Sequence, residues 1–598
     1  MNYHEYIILG AGPAGLQMSY FMEQAGRDYL TLEGNDHAAS FFSQYPRHGT
    51  LISLNKCYNY FPEAEFNLRH DWNSLITNDF SHMFSDYSKE LYPKNSDLVR
   101  YANDFAKKFG LKIQYNTRIL NISRETEGDK LFVLTDADGQ HQYKCKTLLL
   151  ATGPVKPNLP DIEGIELAEG YEDHDPEDLA KYTNKRVVIL GRGNSAFETA
   201  NHLAGHAAII FIMIGNRLIR HAWNSHFVGD LRSYNNTILD MFQLKALHGV
   251  TGSVLTKITK QDNGSLRVYY EEELPHWNTP GTAHGWFEVD CVIRSTGFKY
   301  IDEELFADDI VPKADMMNKY PVLNTTWEST VPDMYFIGTT MAGRDKKSAS
   351  GFIHGFRYNV RTLFRLLEEK NYGVALPSDK YALSNEADLQ QLGASLVKRL
   401  STTSALYQLF GTLCDVLVIE DGQAELFYEL PVEYVLTEPA FAHKKMIIFT
   451  LELGFDNFEN GFADSLNFIR RNDPERPGSA AFLHPMFRFY ENGGFVKGGN
   501  TRSSVVVRFD EAADLLDGDL ANLKPRNMLL NFINSIVHVT DTMYSEDHFV
   551  DDGDRGGFIP WASNDPRIEN HGLQRCTLTI DGPQVGPIKL MYATKKAM

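Results

Sequence analysis

Three glycines at fixed intervals, Gly10, Gly12 and Gly15, close a short apolar run from Tyr6 to Leu9. A strand running into G-x-G-x-x-G suits a dinucleotide: Gly10 makes the tight turn, Gly12 lets the backbone approach a pyrophosphate, and Gly15 lets helix and strand pack closely. The phosphate charge would rest on the N-terminus of the following helix, where unpaired N–H groups and the dipole favour an anion. The next apolar run, Tyr29 to Leu32, ends in Glu33, at the spacing where a ribose diol needs an acceptor. This unit predicts an FAD site.

A second unit follows Arg186-Val-Val-Ile-Leu190, with Gly191 and Gly193 and the small residue Ser195 taken as its third position. Its second strand, Ile209 to Ile214, runs into Gly215-Asn-Arg217 with no acid where NAD would want one. Arg217, with Arg220, suits a 2′-phosphate, because a guanidinium can fork onto it. The second cofactor is therefore expected to be NADPH. Further glycines end apolar runs at Gly153, Gly297 and Gly338, and Gly351 opens a helical segment. All four are read as cofactor-binding. Gly153 lets the backbone come close to a bound dinucleotide, Gly297 repeats that strand-to-glycine pattern, and Gly338 sits where the FAD ribityl chain is expected. The helix opened at Gly351 turns its N-terminus to the flavin pyrimidine, where negative charge collects on reduction.

Polar and aromatic side chains crowd two segments after Glu33, Phe41 to His48 and Asn67 to Ser74. Arg47, Arg69, Asp71, Trp72 and Asn73 are expected to line the flavin and its access channel; the competing reading is a surface loop anchored by Trp72. Lys245 closes a helical segment of mixed polar and apolar character and is a candidate catalytic amine, against the ordinary reading of a solvated lysine. His484 has no second ligand at usable spacing and reads as a packed histidine, so no metal site is expected.

The elements that must position these residues are of the α/β class, with two Rossmann-like dinucleotide-binding domains and a C-terminal α+β domain. Residues 1–155 and 285–375 are expected to form a discontinuous FAD domain and residues 156–284 the NADPH domain. Asp290 to Phe298 is expected to return the chain to the FAD domain. Residues 376–598 carry no glycine finger and no nucleophile elbow, and read as a cover over the flavin or a subunit contact, so that a homodimer is a further expectation.

With 598 residues the chain is long enough for several domains. Its net charge of −20 argues against nucleic acid or an anionic membrane as partner. No run approaches the roughly 18 apolar residues of a membrane helix. The N-terminus leads directly into the first strand, so no secretory signal is expected. The five cysteines, Cys57, Cys145, Cys291, Cys414 and Cys576, are scattered. That spacing excludes a C-x-x-C pair and suits a reduced, cytoplasmic protein.

The stretches Leu9 to Gln17, Tyr45 to His48, Phe66 to Leu75, Gly191 to Ala200 and Gly351 to Tyr358 resemble those of the flavin-containing monooxygenase superfamily of FAD-dependent oxidoreductases. By architecture the chain is also similar to bacterial single-component flavin enzymes, halogenases among them. The resemblance implies that NADPH reduces FAD and that oxygen then forms a C4a-hydroperoxyflavin in a dry pocket. In a halogenase this species oxidises bromide, Lys245 relays hypohalous acid to a small phenolic or other electron-rich aromatic substrate, and Glu198 holds a proton. In a monooxygenase it attacks an amine, sulfide or ring directly. Asn73 is carried over as a third catalytic candidate.

Overall fold

The computed structural model describes residues 2–59, 63–215, 219, 231–273, 281–315, 318–345, 349–452, 483–500 and 523–541. Among them three larger sheets organise the chain.

The first sheet forms around Asn2–Leu9, whose last residues are apolar and fully packed. This strand runs parallel to Tyr29–Leu32 on one side and to Gln142–Leu150 on the other. Phe132–Asp136 and Ile119–Arg124 extend the sheet antiparallel, and Met334–Phe336 returns much later to pair parallel with Gln142–Leu150. Helix Pro13–Gln24 starts at the C-terminal end of the first strand, with Gly12 as its N-cap and Pro13 in its first turn, where proline loses nothing. Helix Asn95–Lys108 buries Leu98, Tyr101, Ala102 and Phe105, spaced three and four apart as an amphipathic face requires.

The second sheet repeats the plan. Arg186–Leu190 lies between Ile209–Met213 and Cys291–Arg294, all parallel. Helix Asn194–Leu203 follows the first of these strands, capped by Gly193. Cys291–Arg294 thus belongs to the second sheet, not the first. The pattern of an apolar strand ending in Thr-Gly occurs in both sheets and does not say which one it enters. The return to the first sheet comes only after Gly297, where Phe298–Lys299 pairs with Lys156–Pro157 in a two-stranded ribbon joining the two regions. The boundary expected at residue 285 is therefore too early. An antiparallel sheet, Val254–Lys260, Leu266–Glu273 and Thr282–Val289, packs on this region, its first hairpin turning at Gly264 in the left-handed conformation.

The third sheet is antiparallel, in the order Ser378–Ala382, Gln423–Pro431, Leu413–Glu420, Met446–Glu452, His484–Glu491, Gly494–Asn500. Helices Glu386–Thr402 and Leu523–Val537 accompany it. One apolar core runs without a break from the first sheet through helix Ile353–Tyr372 into the third sheet, whereas the second sheet keeps cores of its own. The residues after 376 are thus packed as one body with the first region, a tighter union than an accessory cover implies. No helix among the described residues is long and apolar enough to cross a membrane.

Candidate cofactor and reaction site

The first glycine loop has the steric pattern that a bound dinucleotide demands. Gly10 adopts φ +105°, and a Cβ there would lie 2.7 Å from the carbonyl oxygen of Ala151. A Cβ on Gly15 would meet the carbonyl oxygen of Gly10 at 1.9 Å, so helix and strand could not close on anything larger. Gly12 differs: a Cβ there meets no protein atom within 4 Å. Nothing in the polypeptide requires glycine at that point, and the open space lies at the helix N-terminus. Buried Glu33 accepts the Ala11 N–H at 2.7 Å through Oε2, while Oε1 takes Asn35 and Ser40, which fixes the loop and leaves Oε2 acceptor capacity for a diol. Gly338, at φ +85°, would drive a Cβ to 2.7 Å from Cβ of Ala14 and so packs on the same helix start. Gly153 also has positive φ with open space beside it, whereas a Cβ on Gly351 would make ordinary contact with Ala342. These residues fit FAD.

The second loop repeats the contrast. A Cβ on Gly191 would lie 2.4 Å from the carbonyl oxygen of Ser295, whereas one on Gly193 would meet nothing within 4 Å. The residue facing Gly191 is Ala196, whose Cβ stands 3.3 Å from that position. Ala196, fully buried, is therefore the close-packing third position, and Ser195 is one residue short of it. The fingerprint spans five steps from first to third glycine in both loops, and counting from Gly10 to Gly15 would have found it. Gly297 is left-handed with open space beside it, at the exit of the same sheet. Arg217 and Arg220 lie outside the described residues.

Of the five side chains expected to line a flavin, three are taken up by the protein. Arg47 turns its guanidinium onto the carbonyl of His174 in the second region, 2.7 Å from Nε. Arg69 donates to the carbonyls of Thr403 and Leu400, at 3.0 and 3.2 Å, and lies against the rings of Phe66 and Tyr407. Asp71 is buried and receives the Asn73 and Ser74 N–H groups, each at 2.9 Å, and the Ser74 hydroxyl. It folds its own loop. Trp72 and Asn73 remain. Asn73 is fully buried; its amide nitrogen reaches the Leu54 carbonyl at 3.4 Å, and its Oδ1 has no partner.

The loop carrying them is clamped from both sides. The Gln17 amide grips the backbone of Ile76, donating at 2.9 Å and accepting at 2.7 Å, from the helix that begins at the first glycine loop. Arg357, from the first turns of helix Ile353–Tyr372, donates to the carbonyls of Ser74 and Leu68 at 2.6 and 2.7 Å. The glycine loop, the Trp72–Asn73 turn and the start of the later helix are thereby tied into one place. His354, in that helix's first turn, stacks on Trp72 with ring centroids 4.0 Å apart. Sequence reasoning missed His354; its only signal was a histidine within the resembling stretch Gly351 to Tyr358.

Glu198 stands on helix Asn194–Leu203 facing the first region, where it accepts the His48 N–H at 3.3 Å. Burial pushes its carboxyl up to about 7. His48 itself is pushed down to about 3, first by burial and then by His202, His174 and Arg47. Glu198 therefore can hold a proton near neutrality, but it does so at the seam between the two regions.

Lys245 is exposed, in a left-handed turn just after helix Thr237–Gln243. The mixed setting that singled it out is absent. Apolar neighbours Phe242, Leu244 and Leu247 are themselves exposed, so the segment mimics a half-buried face without being one. The four described cysteines are all free; Cys57 lies in a loop, and Cys145, Cys291 and Cys414 each lie in a different sheet. No group of three or more metal-ligating side chains forms among the described residues.

Two sheets, each with a glycine loop after a parallel strand, are joined in one chain. The chain belongs to the family described as pyridine nucleotide-disulphide oxidoreductase, whose model matches residues 7–338. It is 37% identical over 522 residues to the mouse (Mus musculus) FAD-dependent oxidoreductase domain-containing protein 2, covering 82% of this chain and 76% of that protein. The zebrafish (Danio rerio) protein of the same name is 34% identical over 535 residues, with the same coverage. Among solved structures, the bacillithiol disulfide reductase of Staphylococcus aureus aligns with 62% of this chain and all of its own at 20% identity, TM-score 0.47. A flavin-containing monooxygenase from Stenotrophomonas maltophilia aligns with 62% of this chain and 99% of its own at 15% identity, TM-score 0.45. The chain is thus a flavin-dependent oxidoreductase.

Proposed function

We propose that this protein binds FAD at the Gly10–Gly15 loop and NADPH at the Gly191–Ala196 loop, and uses them to pass electrons to oxygen as a monooxygenase of a small molecule. The observation that carries the reading is the pair of unfilled positions at Gly12 and Gly193, each at the N-cap of a helix and each between small residues that the fold itself requires, Gly10 and Gly15 in one loop and Gly191 and Ala196 in the other. A bound FAD supplies the relay between nicotinamide and oxygen.

The protein's own residues bind and orient. Helix Pro13–Gln24 offers its N-terminal N–H groups to a pyrophosphate, and Glu33 holds the loop that shapes the site. Trp72 and the clamped turn around it exclude water from one side. Arg217 is the proposed reader of the 2′-phosphate. Oxygen is favoured over a protein dithiol as acceptor because the four described cysteines are free and three of them, Cys145, Cys291 and Cys414, lie in three different sheets. Bromination of an aromatic ring rested on a sheltered amine, and exposed Lys245 does not supply one.

The test is anaerobic reduction of the purified yellow protein by NADPH and by NADH, followed by oxygen uptake and product mass spectrometry on amines, sulfides and phenols, with and without bromide. A product heavier by one oxygen supports the reading. Reduction by NADPH without any oxygenated product, across those classes, would establish the alternative of a non-oxygenating NADPH-dependent flavin reductase.

A further inference from the structure

Arg47 and Arg232 both reach across the seam between the two nucleotide-binding regions, from opposite sides. Arg47, of the first region, spends its guanidinium on the carbonyl of His174. Arg232, of the second, stands differently. Its backbone N–H is tied at 3.0 Å to Oδ1 of Asn194, the residue after Gly193. The same oxygen receives the Asn235 amide at 3.0 Å, and Leu231 and Asn235 are both buried, so the segment carrying Arg232 is pinned beside the second glycine loop. The side chain then leaves toward the first region. There Nη1 donates to the Ile52 carbonyl at 3.1 Å, and Cζ stands 5.2 Å from the centroid of the partly exposed Trp72 ring.

This guanidinium has no counter-charge. The chain carries 78 aspartates and glutamates against 58 lysines and arginines, yet among the described residues no carboxylate pairs with Arg232. Glu198, one turn along the helix from Asn194, accepts the His48 N–H instead. Nε and Nη2 of Arg232 bond to no described residue, and neither is closed off from solvent. A cation drawn partly out of water is ordinarily paired, and the planar fork of a guanidinium matches a carboxylate or a phosphate with two parallel bonds. Arg232 is thus anchored at its backbone and rested on an indole face, with an edge of N–H donors turned to open space.

We propose that Arg232 receives an oxyanion of a ligand lodged between the two regions, and that Trp72 holds the guanidinium in place for it. The inference rests on the two-nucleotide reading above. Two ligands of that reading can bring such a group to the seam: the nucleotide of the second loop, through its pyrophosphate, and an acidic substrate, through its carboxylate. Either one supplies the charge that the protein withholds from Arg232.

The full-length protein carrying FAD, with its Arg232→Met and Arg232→Lys variants, is titrated calorimetrically with NADP+ and, separately, with benzoate as a plain carboxylate. Methionine keeps an apolar stem on Trp72 and removes the charge; lysine keeps the charge without the fork. Losing a hydrogen bond between charged groups should weaken the ligand that uses Arg232 by about tenfold to a hundredfold in Arg232→Met, with Arg232→Lys in between. Weaker NADP+ with unchanged benzoate assigns the pyrophosphate. Weaker benzoate with unchanged NADP+ assigns the substrate carboxylate. An Arg232→Met protein that matches the wild type toward both ligands would overturn the proposal and leave the nucleotide reading intact. A wild type that binds neither NADP+ nor NADH would instead sink the second-nucleotide reading, and the benzoate titration would then decide on Arg232 alone. Should circular dichroism show Arg232→Met unfolded, Arg232→Gln faces the same outcomes.

Discussion

Glu198→Gln isolates the seam between the two nucleotide-binding regions. The carboxyl of Glu198 is raised from 4.5 to about 7 by burial. The folded state therefore holds a proton that the unfolded chain has released between those two values. Stability from this group is complete below pH 4.5, falls as pH rises from 4.5 to about 7, and then stays at its lower level. At about 1.4 kcal/mol per pH unit the loss reaches about 3 kcal/mol, an upper bound because the side chain retains some contact with solvent. His48 acts in the opposite sense. Lowered from 6.5 to about 3, it contributes stability that is present above 6.5 and lost as pH falls toward 3. The two slopes oppose each other between pH 4.5 and 6.5, so the wild-type profile alone would hide both. Glutamine keeps an acceptor for the His48 N–H and removes only the titration, while His48 cancels in the comparison. Urea denaturation of the two proteins from pH 4.5 to 8 should show the variant gaining on the wild type by up to about 3 kcal/mol, most of it below pH 7. A difference that stays constant across this range would refute the reasoning.

Gly12→Ala should leave the melting of the flavin-free protein within about 0.5 kcal/mol of wild type, since its methyl meets no protein atom, yet lower FAD occupancy, as flavin absorbance per chain would show. Gly15→Ala should instead fail to fold, its methyl falling inside the Gly10 carbonyl, and soluble yield reads this directly. Arg217→Ala should erase the preference for NADPH over NADH, at a cost of about 1.5–3 kcal/mol on NADPH binding, measured by reduction kinetics with each cofactor. Glu429→Gln should destabilise the protein by about 3–5 kcal/mol in thermal or urea unfolding: this buried carboxylate receives Arg361, Arg365 and Arg399 at 2.7, 3.0 and 3.0 Å, and its removal leaves guanidinium charge buried without a full counterion. Lys245→Ala should leave NADPH oxidation and product formation unchanged, as steady-state assays would show.

The glycine loops were legible because steric demand acts within a few residues of chain: Gly10 and Gly15 must be small for reasons the local spacing already contains. The third position of the second loop was misread as Ser195 by a miscount, although Ala196 satisfies the same rule. Cys291–Arg294 went to the wrong sheet because a buried parallel strand looks alike in either. Lys245 was drawn in by apolar neighbours that prove exposed, a distinction that periodicity over seven residues does not make. Arg47, Arg69 and Asp71 were recognised as unusual, yet their partners, His174, the end of a distant helix and their own loop, are set by tertiary contact. His354 was passed over for the same reason: it matters because Trp72, far away in the chain, covers its face.

Arg69 has a consequence for how the chain can be divided. The carbonyls it receives, those of Leu400 and Thr403, lie at the C-terminal end of helix Glu386–Thr402, where an α-helix has no partners of its own for its last C=O groups. Arg69 thus caps a helix belonging to the other end of the polypeptide, while Gln408 and Ser404 reach back to the Arg69 carbonyl and the Glu65 carboxylate, at 2.8 and 2.9 Å. Cutting the chain before residue 376 would leave a guanidinium facing water across newly bared Phe66 and would release the base of the turn that carries Trp72 and Asn73. The nucleotide-binding half is not a portable module.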